Sequence, residues 1–154
     1  MEQMATVFVD SGWDFRYIVK RKVVILMTII VGMKGEAGTL VEREDTALEV
    51  GSGSLLVYAT PAMAAMMEAA ACEAIAAGLN ETETTVGIEL NIKHLSATPV
   101  GLEVRAEAEV TAVEGKIISF HIEAFDEAGK IGEAEHKRAL VNCEKFLQKT
   151  YEKL

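Results

Sequence analysis

Two ionisable side chains stand where the sequence otherwise predicts buried, apolar faces. Glu68 is the only ionisable residue between Ala62 and Cys72, in a run that is dense in Ala and Met. His94 falls on the apolar side of an alternating segment that begins near Val86. A buried carboxylate must be protonated, paired or open to a cavity, and an imidazole suits proton transfer near neutral pH. Both residues are candidates for acid–base chemistry; a solvated Glu68 and a structural, hydrogen-bonded His94 are the simpler alternatives.

Thr60 is a third candidate, because it precedes Pro61 and the apolar run. The Thr-Pro pair predicts a helix start, since Thr can cap free N–H groups and Pro suits the first turn. The N–H groups at such a helix end could also stabilise an oxyanion formed from an ester or thioester carbonyl. The residues alone leave Thr60 as either a cap or a member of a site.

The helix that would carry Glu68 and follow Thr60-Pro61 is predicted over 62–77, with Gly78 and Asn80 as its stop. Its only charges are Glu68 and Glu73, so it is apolar nearly all round. A helix of this kind is buried on most sides, and the rest of the chain must wrap it.

Four alternating segments after the helix supply the wrapping, at roughly 85–94, 102–111, 118–125 and 131–142. Short breaks at 114–115 and 126–129 predict antiparallel hairpins. A further strand or arm is expected before the helix, over Thr39–Val50. The sequence therefore predicts an α+β fold, with a curved antiparallel sheet around one central helix. Such a sheet leaves open edges, which favours a dimer.

The overall composition limits the classes of function. The chain has 154 residues, enough for one domain with a sizeable core, and a formal net charge of -9. That charge argues against binding to nucleic acid or to an anionic membrane surface. Cys72 and Cys143 have no metal-ligand spacing, so no metal is expected and both are interpreted as reduced thiols in a cytoplasmic protein.

The first part of the chain has a different character. Residues 16–22 are basic and residues 23–31 are nearly all apolar, which superficially resembles a signal sequence. The run lacks a small-residue cleavage site and is shorter than the ~20 residues that span a bilayer. Residues 1–32 are interpreted as an appendage and 33–154 as the domain, with Met27 and Met33 as plausible start codons.

Several motifs resemble the fluoroacetyl-CoA thioesterase-like family of hotdog-fold thioesterases. They span roughly residues 35–148: Ala-Thr-Pro-Ala-Met at 59–63 followed by Glu68, Val-Gly at 86–87, His-Leu-Ser-Ala-Thr-Pro at 94–99, Gly-Leu-Glu-Val at 101–104, and Gly-Glu-Ala-Glu-His-Lys-Arg-Ala at 132–139. The family carries a Thr, a Glu eight residues later and a His twenty-six residues after that. Thr60, Glu68 and His94 keep both spacings.

The resemblance implies a hotdog fold and hydrolysis of an acyl-CoA thioester by Thr60, Glu68 and His94. It also implies that Gly87 and Arg138 are substrate-binding, with Arg138 either holding a CoA phosphate or bracing the site. It implies a homodimer, or a higher oligomer, with the site at the subunit interface. No cofactor is needed, because coenzyme A is part of the substrate.

One difference from the family concerns the acyl group. The fluoroacetyl-specific member has phenylalanines that gate the pocket ahead of the Thr, whereas residues 52–56 here read Ser-Gly-Ser-Leu-Leu. A short or medium acyl-CoA is therefore expected as substrate.

Two other functions remain compatible with the same fold and residues. A hydratase or dehydratase would also pair a His with a carboxylate, and a non-catalytic protein could bind acyl-CoA as a sensor.

The helix also raises a geometric question, because eight helical residues rise about 12 Å, too far for a direct contact of Thr60 with Glu68. Either the helix begins after Thr60 and the chain folds back, or a second subunit completes the triad.

Overall fold

The computed structural model describes residues 28–154. It contains five strands and three α-helices in this range: β1 Lys34–Leu40, α1 Ala47–Val50, α2 Thr60–Ile75, β2 Glu83–His94, β3 Glu103–Glu114, β4 Ile117–Asp126, β5 Gly129–Asn142 and α3 Cys143–Tyr151. Short 3-10 turns occupy Arg43–Asp45 and Ala76–Gly78.

The strands form one antiparallel sheet in the order β1-β3-β4-β5-β2. Both predicted hairpins are confirmed, because β3 pairs with β4 and β4 pairs with β5. β2 does not pair with β3, the next strand along the chain; it lies beside β5 at one end of the sheet. The edges of the described sheet are therefore β1 and β2.

The central helix α2 packs its apolar side chains against the inner face of this sheet. The buried residues of α2 are Met63, Met66, Met67, Ala70, Ala71, Ala74 and Ile75. They meet the inward residues of the strands, which include Val104, Val110, Ile118, Phe120 and Ile122. β1 comes so close to α2 that a Cβ on Gly35 would overlap the backbone of Ala70 and Ala74. The predicted arrangement of one helix wrapped by a sheet is confirmed.

A strand does precede the helix, but it lies earlier in the chain than the strand or arm predicted over Thr39–Val50. The edge strand β1 ends at Leu40, and the chain then forms the turn at Arg43–Asp45 and the short helix α1. Side chains close this bend: Asp45 Oδ2 accepts from Glu42 N at 3.0 Å, and Thr46 Oγ1 donates to Arg43 O at 2.7 Å. Polar residues that look like an alternating strand instead cap a turn.

The helix boundaries also differ from the sequence prediction by a few residues. α2 begins at Thr60 and ends at Ile75, where one 3-10 turn leads to Gly78. The prediction did not include α3, whose start is fixed by Asn142 Oδ1 accepting from Lys145 N at 3.1 Å. That contact is an ordinary helix N-cap.

Most of the predicted appendage, residues 1–27, lies outside the described residues. Of the remainder, Ile29 packs against the apolar core and Gly32 N donates to Val110 O at 2.8 Å. The boundary at residue 32 stays a prediction. Within residues 28–154, no helix is both long and apolar enough to cross a bilayer.

Candidate active site

The Thr60 hydroxyl is paired with the His94 ring. Thr60 Oγ1 lies 2.8 Å from His94 Nδ1. The N-cap of α2 is Ala59, and no side chain caps the helix. Of the two roles left open for Thr60, the helix cap is therefore wrong, and its hydroxyl is directed at an imidazole.

His94 presents its second nitrogen without a partner. It is the last residue of β2, and its Nε2 is buried with no hydrogen bond from residues 28–154. The chain after it is held firmly, because Leu95 N donates to Ile131 O at 2.8 Å and the buried Thr98 Oγ1 donates to Asp126 Oδ2 at 2.9 Å. A fixed ring with one hydroxyl-bonded and one unpaired nitrogen is suited to proton transfer.

Glu68 faces the groove between α2 and β2. Its Oε1 accepts from Arg138 Nη1 at 3.2 Å, and 42% of its side chain is exposed. Glu68 Oε2 accepts no hydrogen bond from residues 28–154. A shallow cavity of about 250 Å³ opens in front of this carboxylate, lined by Glu68, Gly87, Ile88, Glu89, Leu90 and His136. Glu68 is thus both paired and open to a cavity.

A bulge in β2 brings Gly87 against Glu68. The pairing of β2 with β5 shifts between Gly87 and Glu89, so Ile88 has no opposite residue. The shift turns Thr85 and Gly87 to the inner face, together with Leu90 and His94 beyond it. The predicted single apolar face from Val86 to His94 is therefore wrong in its first half. A Cβ on Gly87 would collide with Glu68 Oε1, so only glycine allows this close approach.

Arg138 is buried and held by several acceptors. Its Nε donates to Thr85 Oγ1 at 2.8 Å and its Nη2 to Thr85 O at 3.0 Å. Only 6% of the residue is exposed. Of the two roles expected for Arg138, these contacts favour bracing the site over reaching a CoA phosphate.

His136 and Thr85 also belong to the site, although the sequence does not single them out. His136 is 1% exposed, with Nδ1 2.7 Å from Glu89 O, Nε2 3.2 Å from Arg138 Nη1, and Glu68 Oε1 at 3.7 Å. Burial, and then the neighbouring guanidinium, lower the pKa of His136 below its ordinary value. The sequence contains an indication of the role of His136, because the alternation of β5 puts it on the same inward face as Arg138. For Thr85 the sequence contains no such indication, because the bulge in β2 turns this residue to the opposite face of the strand.

The described chain forms two polar groups and not one triad. Thr60 and His94 make the first, and Glu68, Arg138 and His136 make the second. Thr60 and Glu68 lie on the same helix, about 12 Å apart along its axis. Because α2 begins at Thr60 itself, the chain does not fold back before the helix.

Comparison with known proteins agrees with this architecture. Residues 41–144 match the model of the fluoroacetyl-CoA-specific thioesterase family. The fluoroacetyl-CoA thioesterase of Streptantibioticus cattleyicolor is 38% identical over 97 residues, covering 63% of this chain and 70% of that protein. The chain belongs to the fluoroacetyl-CoA-specific thioesterase family. The family resemblance inferred from the motifs and the assignment to the thioester hydrolases that act on acyl-CoA are confirmed.

Solved structures give the same result for the fold. The fluoroacetyl-CoA thioesterase FlK superposes with a TM-score of 0.76 at 31% identity, covering 82% of this chain and 98% of that one. A Thermus thermophilus protein of the thioesterase superfamily superposes with a TM-score of 0.73 at 28% identity, covering 82% of this chain and 98% of that one. A hot-dog-like protein from Thermanaerovibrio acidaminovorans superposes with a TM-score of 0.74 at 21% identity, covering 83% of this chain and 94% of that one. At this identity the likeness shows the fold alone. The predicted hotdog fold is confirmed.

Proposed function

We propose that this member of the family hydrolyses the thioester of a short or medium acyl-CoA, releasing the free acid and CoA. Family membership and the structure of a FlK variant in complex with acetyl-CoA support a CoA thioester as substrate. The observation that carries the proposal is the 2.8 Å contact between Thr60 Oγ1 and His94 Nδ1. It joins a hydroxyl to a proton acceptor at the positive end of α2, where an oxyanion is stabilised.

In the proposed reaction the water oxygen bonds to the acyl carbon, the carbon–sulfur bond breaks and the CoA sulfur takes a proton. Glu68 acts either as the base that accepts the water proton or as a nucleophile that forms a mixed anhydride, which water then opens. In the first case the proton taken from water passes through His94 to the leaving thiolate. In the second case the thiolate leaves first and receives, through His94, the proton of the water that opens the anhydride. Thr60 and the N–H groups at the start of α2 orient the thioester carbonyl.

Gly87 and Arg138 complete the proposed site around Glu68. Gly87 leaves room for the Glu68 carboxylate to lie against β2, because a Cβ there would collide with Oε1. Arg138 fixes the orientation of Oε1 and leaves Oε2 directed at the cavity. The proposal involves no metal or cofactor, since coenzyme A enters as part of the substrate.

The proposed working unit is a homodimer joined along β2, or a larger assembly built from it. β2 is an edge of the described sheet, and its bulged Ile88 is 54% exposed. An open edge with exposed apolar side chains favours pairing with a second copy. Antiparallel pairing of two β2 strands about a twofold axis would bring the Gly87 end of one beside the His94 end of the other. Glu68 of one subunit would then approach the Thr60–His94 pair of its partner subunit.

The remaining parts of the proposal concern specificity and location. Leu55 and Leu56, where the fluoroacetyl-specific member has gating phenylalanines, are both exposed. Open, aliphatic side chains at this position support a general short or medium acyl group. Both cysteines are free thiols, which supports a cytoplasmic location, and the acidic net charge supports the absence of nucleic-acid and membrane partners.

The test is a thiol-release assay over acyl-CoA substrates of increasing chain length. We expect turnover to be greatest for short or medium chains, and Glu68→Ala to lower kcat by about 10²- to 10⁴-fold. Equal activity of the wild type and Glu68→Ala would contradict the assignment. A change of enoyl absorbance without thiol release would assign the protein to the hydratases, and ligand-dependent thermal stabilisation without turnover would make it a binding protein.

A further inference from the structure

The proton positions on His136 follow from its two neighbours. Nδ1 lies 2.7 Å from the carbonyl oxygen of Glu89, which can only accept, so Nδ1 carries a proton. Nε2 lies 3.2 Å from Nη1 of Arg138, which can only donate, so Nε2 carries a lone pair. His136 is therefore the neutral, Nδ1-protonated tautomer and serves as an acceptor towards Arg138.

The same Nη1 group serves two acceptors. Its second proton points to Glu68 Oε1 at 3.2 Å, and that oxygen lies 3.7 Å from His136 Nε2. A carboxylate oxygen and an imidazole lone pair would repel each other at this distance without a donor between them. One amino group of Arg138 therefore holds the two acceptors together.

The Nε and Nη2 groups of Arg138 face Thr85. Nε and Nη2 donate to the hydroxyl and to the carbonyl of that residue. Four of the five N–H groups of Arg138 are thus used by Thr85, His136 and Glu68. Thr85 fixes one side of the guanidinium plane, and His136 fixes the direction of Nη1 on the other side.

We infer that His136 is a positioning residue for the thioesterase reaction: its Nε2 lone pair holds Arg138 in the orientation that aims the Glu68 carboxylate into the cavity. The inference rests on the proposed function, because it assigns His136 a role through Glu68. His136 lines the cavity beside Glu68, but it is only 1% exposed and its Nε2 lone pair accepts from Arg138. Its effect on catalysis therefore passes through Arg138.

Two substitutions separate the two nitrogens of the ring. His136→Asn keeps a donor near Nδ1 for Glu89 O but has no acceptor at Nε2. His136→Gln places an amide oxygen near the Nε2 position and keeps an acceptor for Arg138. We expect His136→Asn to lower kcat by about 10- to 100-fold with KM nearly unchanged, since a misdirected reacting group costs rate and not binding. His136→Gln should recover most of that kcat.

The path through Arg138 is tested in a second background. If His136 acts by holding Arg138, then adding His136→Asn to Arg138→Met should cost no further activity, because the residue it holds is gone. Additive losses would overturn the inference. If Glu68→Ala is fully active, the proposed function fails; if Glu68→Ala is inactive and His136→Asn is as active as wild type, only the positioning role fails.

A measurement on the unaltered protein does not depend on how the variants fold. The ¹⁵N shifts of the His136 ring at pH 7 should report a protonated Nδ1 and an unprotonated Nε2. An Nε2-protonated tautomer, or a charged ring, would overturn the inference, because neither can accept from Arg138.

Discussion

The hydroxyl of Thr60 can be separated from the stability of its helix. Since Ala59 is the N-cap and Thr60 Oγ1 faces His94, Thr60→Val should not incur the loss of about 1 kcal/mol expected for a lost cap. It should lower kcat by about 10- to 100-fold, because the hydroxyl beside the imidazole is removed. Steady-state kinetics and urea unfolding measure the two effects.

Thr60→Ser is the matched control, because it keeps the hydroxyl. It should retain most of the activity of the wild type. A Thr60→Val protein with full activity would remove Thr60 from the site and leave it a purely structural residue.

The buried His136 predicts a pH dependence of stability. Burial and the guanidinium of Arg138 lower its pKa in the folded protein below the ordinary value of 6.5. Between the two pKa values the unfolded chain binds more protons, so the free energy of unfolding falls as the pH drops below 6.5. Urea unfolding at several pH values should show this loss, and His136→Gln should reduce it. An unchanged pH slope in that variant would contradict the prediction.

The site residues also differ in whether their role can be predicted from the sequence. Glu68 and His94 were found because each is ionisable on a face that is otherwise apolar. His136 shares the inward face of Arg138 and could have been found in the same way. Thr85 could not, because its contact with Arg138 depends on a change of face within its strand.

The bulge in β2 is the element that shapes the site. It places Gly87 directly beside Glu68 Oε1, with His136 Cε1 behind it. Gly87→Ala should therefore push the flexible Glu68 carboxylate away from Arg138 and leave the strand pairing intact. We expect kcat to fall by about 10- to 100-fold while the midpoint of thermal unfolding changes by only a few degrees.

Thr84→Ala provides the control for this strand, because Thr84 is exposed and makes no side-chain hydrogen bond with the described part of the chain. It should leave kcat unchanged. If Gly87→Ala hydrolyses acyl-CoA at the rate of the wild type, the close approach of Gly87 to Glu68 is not needed for catalysis.

The elements themselves were largely predictable. Period-two alternation identified β2 to β5, and an apolar run with Thr-Pro before it and Gly after it identified α2. The register of β2 was not predictable, because a bulge inserts one residue without altering the composition of the segment. Placement of β2 beside β5 also required tertiary structure, since the sequence gives hairpins only for adjacent strands.

At the scale of the whole molecule, the separation of Thr60 from Glu68 predicts a site shared between two subunits. A purified heterodimer of one Glu68→Ala chain and one His94→Ala chain would then keep one intact site. Each of the two homodimers would keep none. We expect the heterodimer to have about half the activity of the wild-type dimer.

The control is a heterodimer in which one chain carries Glu68→Ala and the other carries both substitutions, which has no intact site in either arrangement. If the triad lies within single subunits, the first heterodimer should be as inactive as this control. Differently tagged chains, co-expressed and purified in two steps, provide both proteins for the thiol-release assay.

A chain that begins at Met33 tests the proposed domain boundary. It loses the contact of Ile29 with the core and the hydrogen bond from Gly32 N to Val110 O. One such hydrogen bond contributes about 1 kcal/mol, so the shortened protein should fold and keep its kcat. Aggregation or loss of activity would make the preceding residues part of the domain.

The sequence by itself determined α2, the strands β2 to β5, the fold class and the candidates Glu68 and His94, because periodicity and composition are local properties of the chain. Tertiary structure decided which of these residues meet. Thr60 reaches His94 across thirty-four residues, and Arg138 reaches Glu68 across seventy. Such contacts depend on strand order, register and the β2 bulge, which are set by packing around α2 and not by any local pattern.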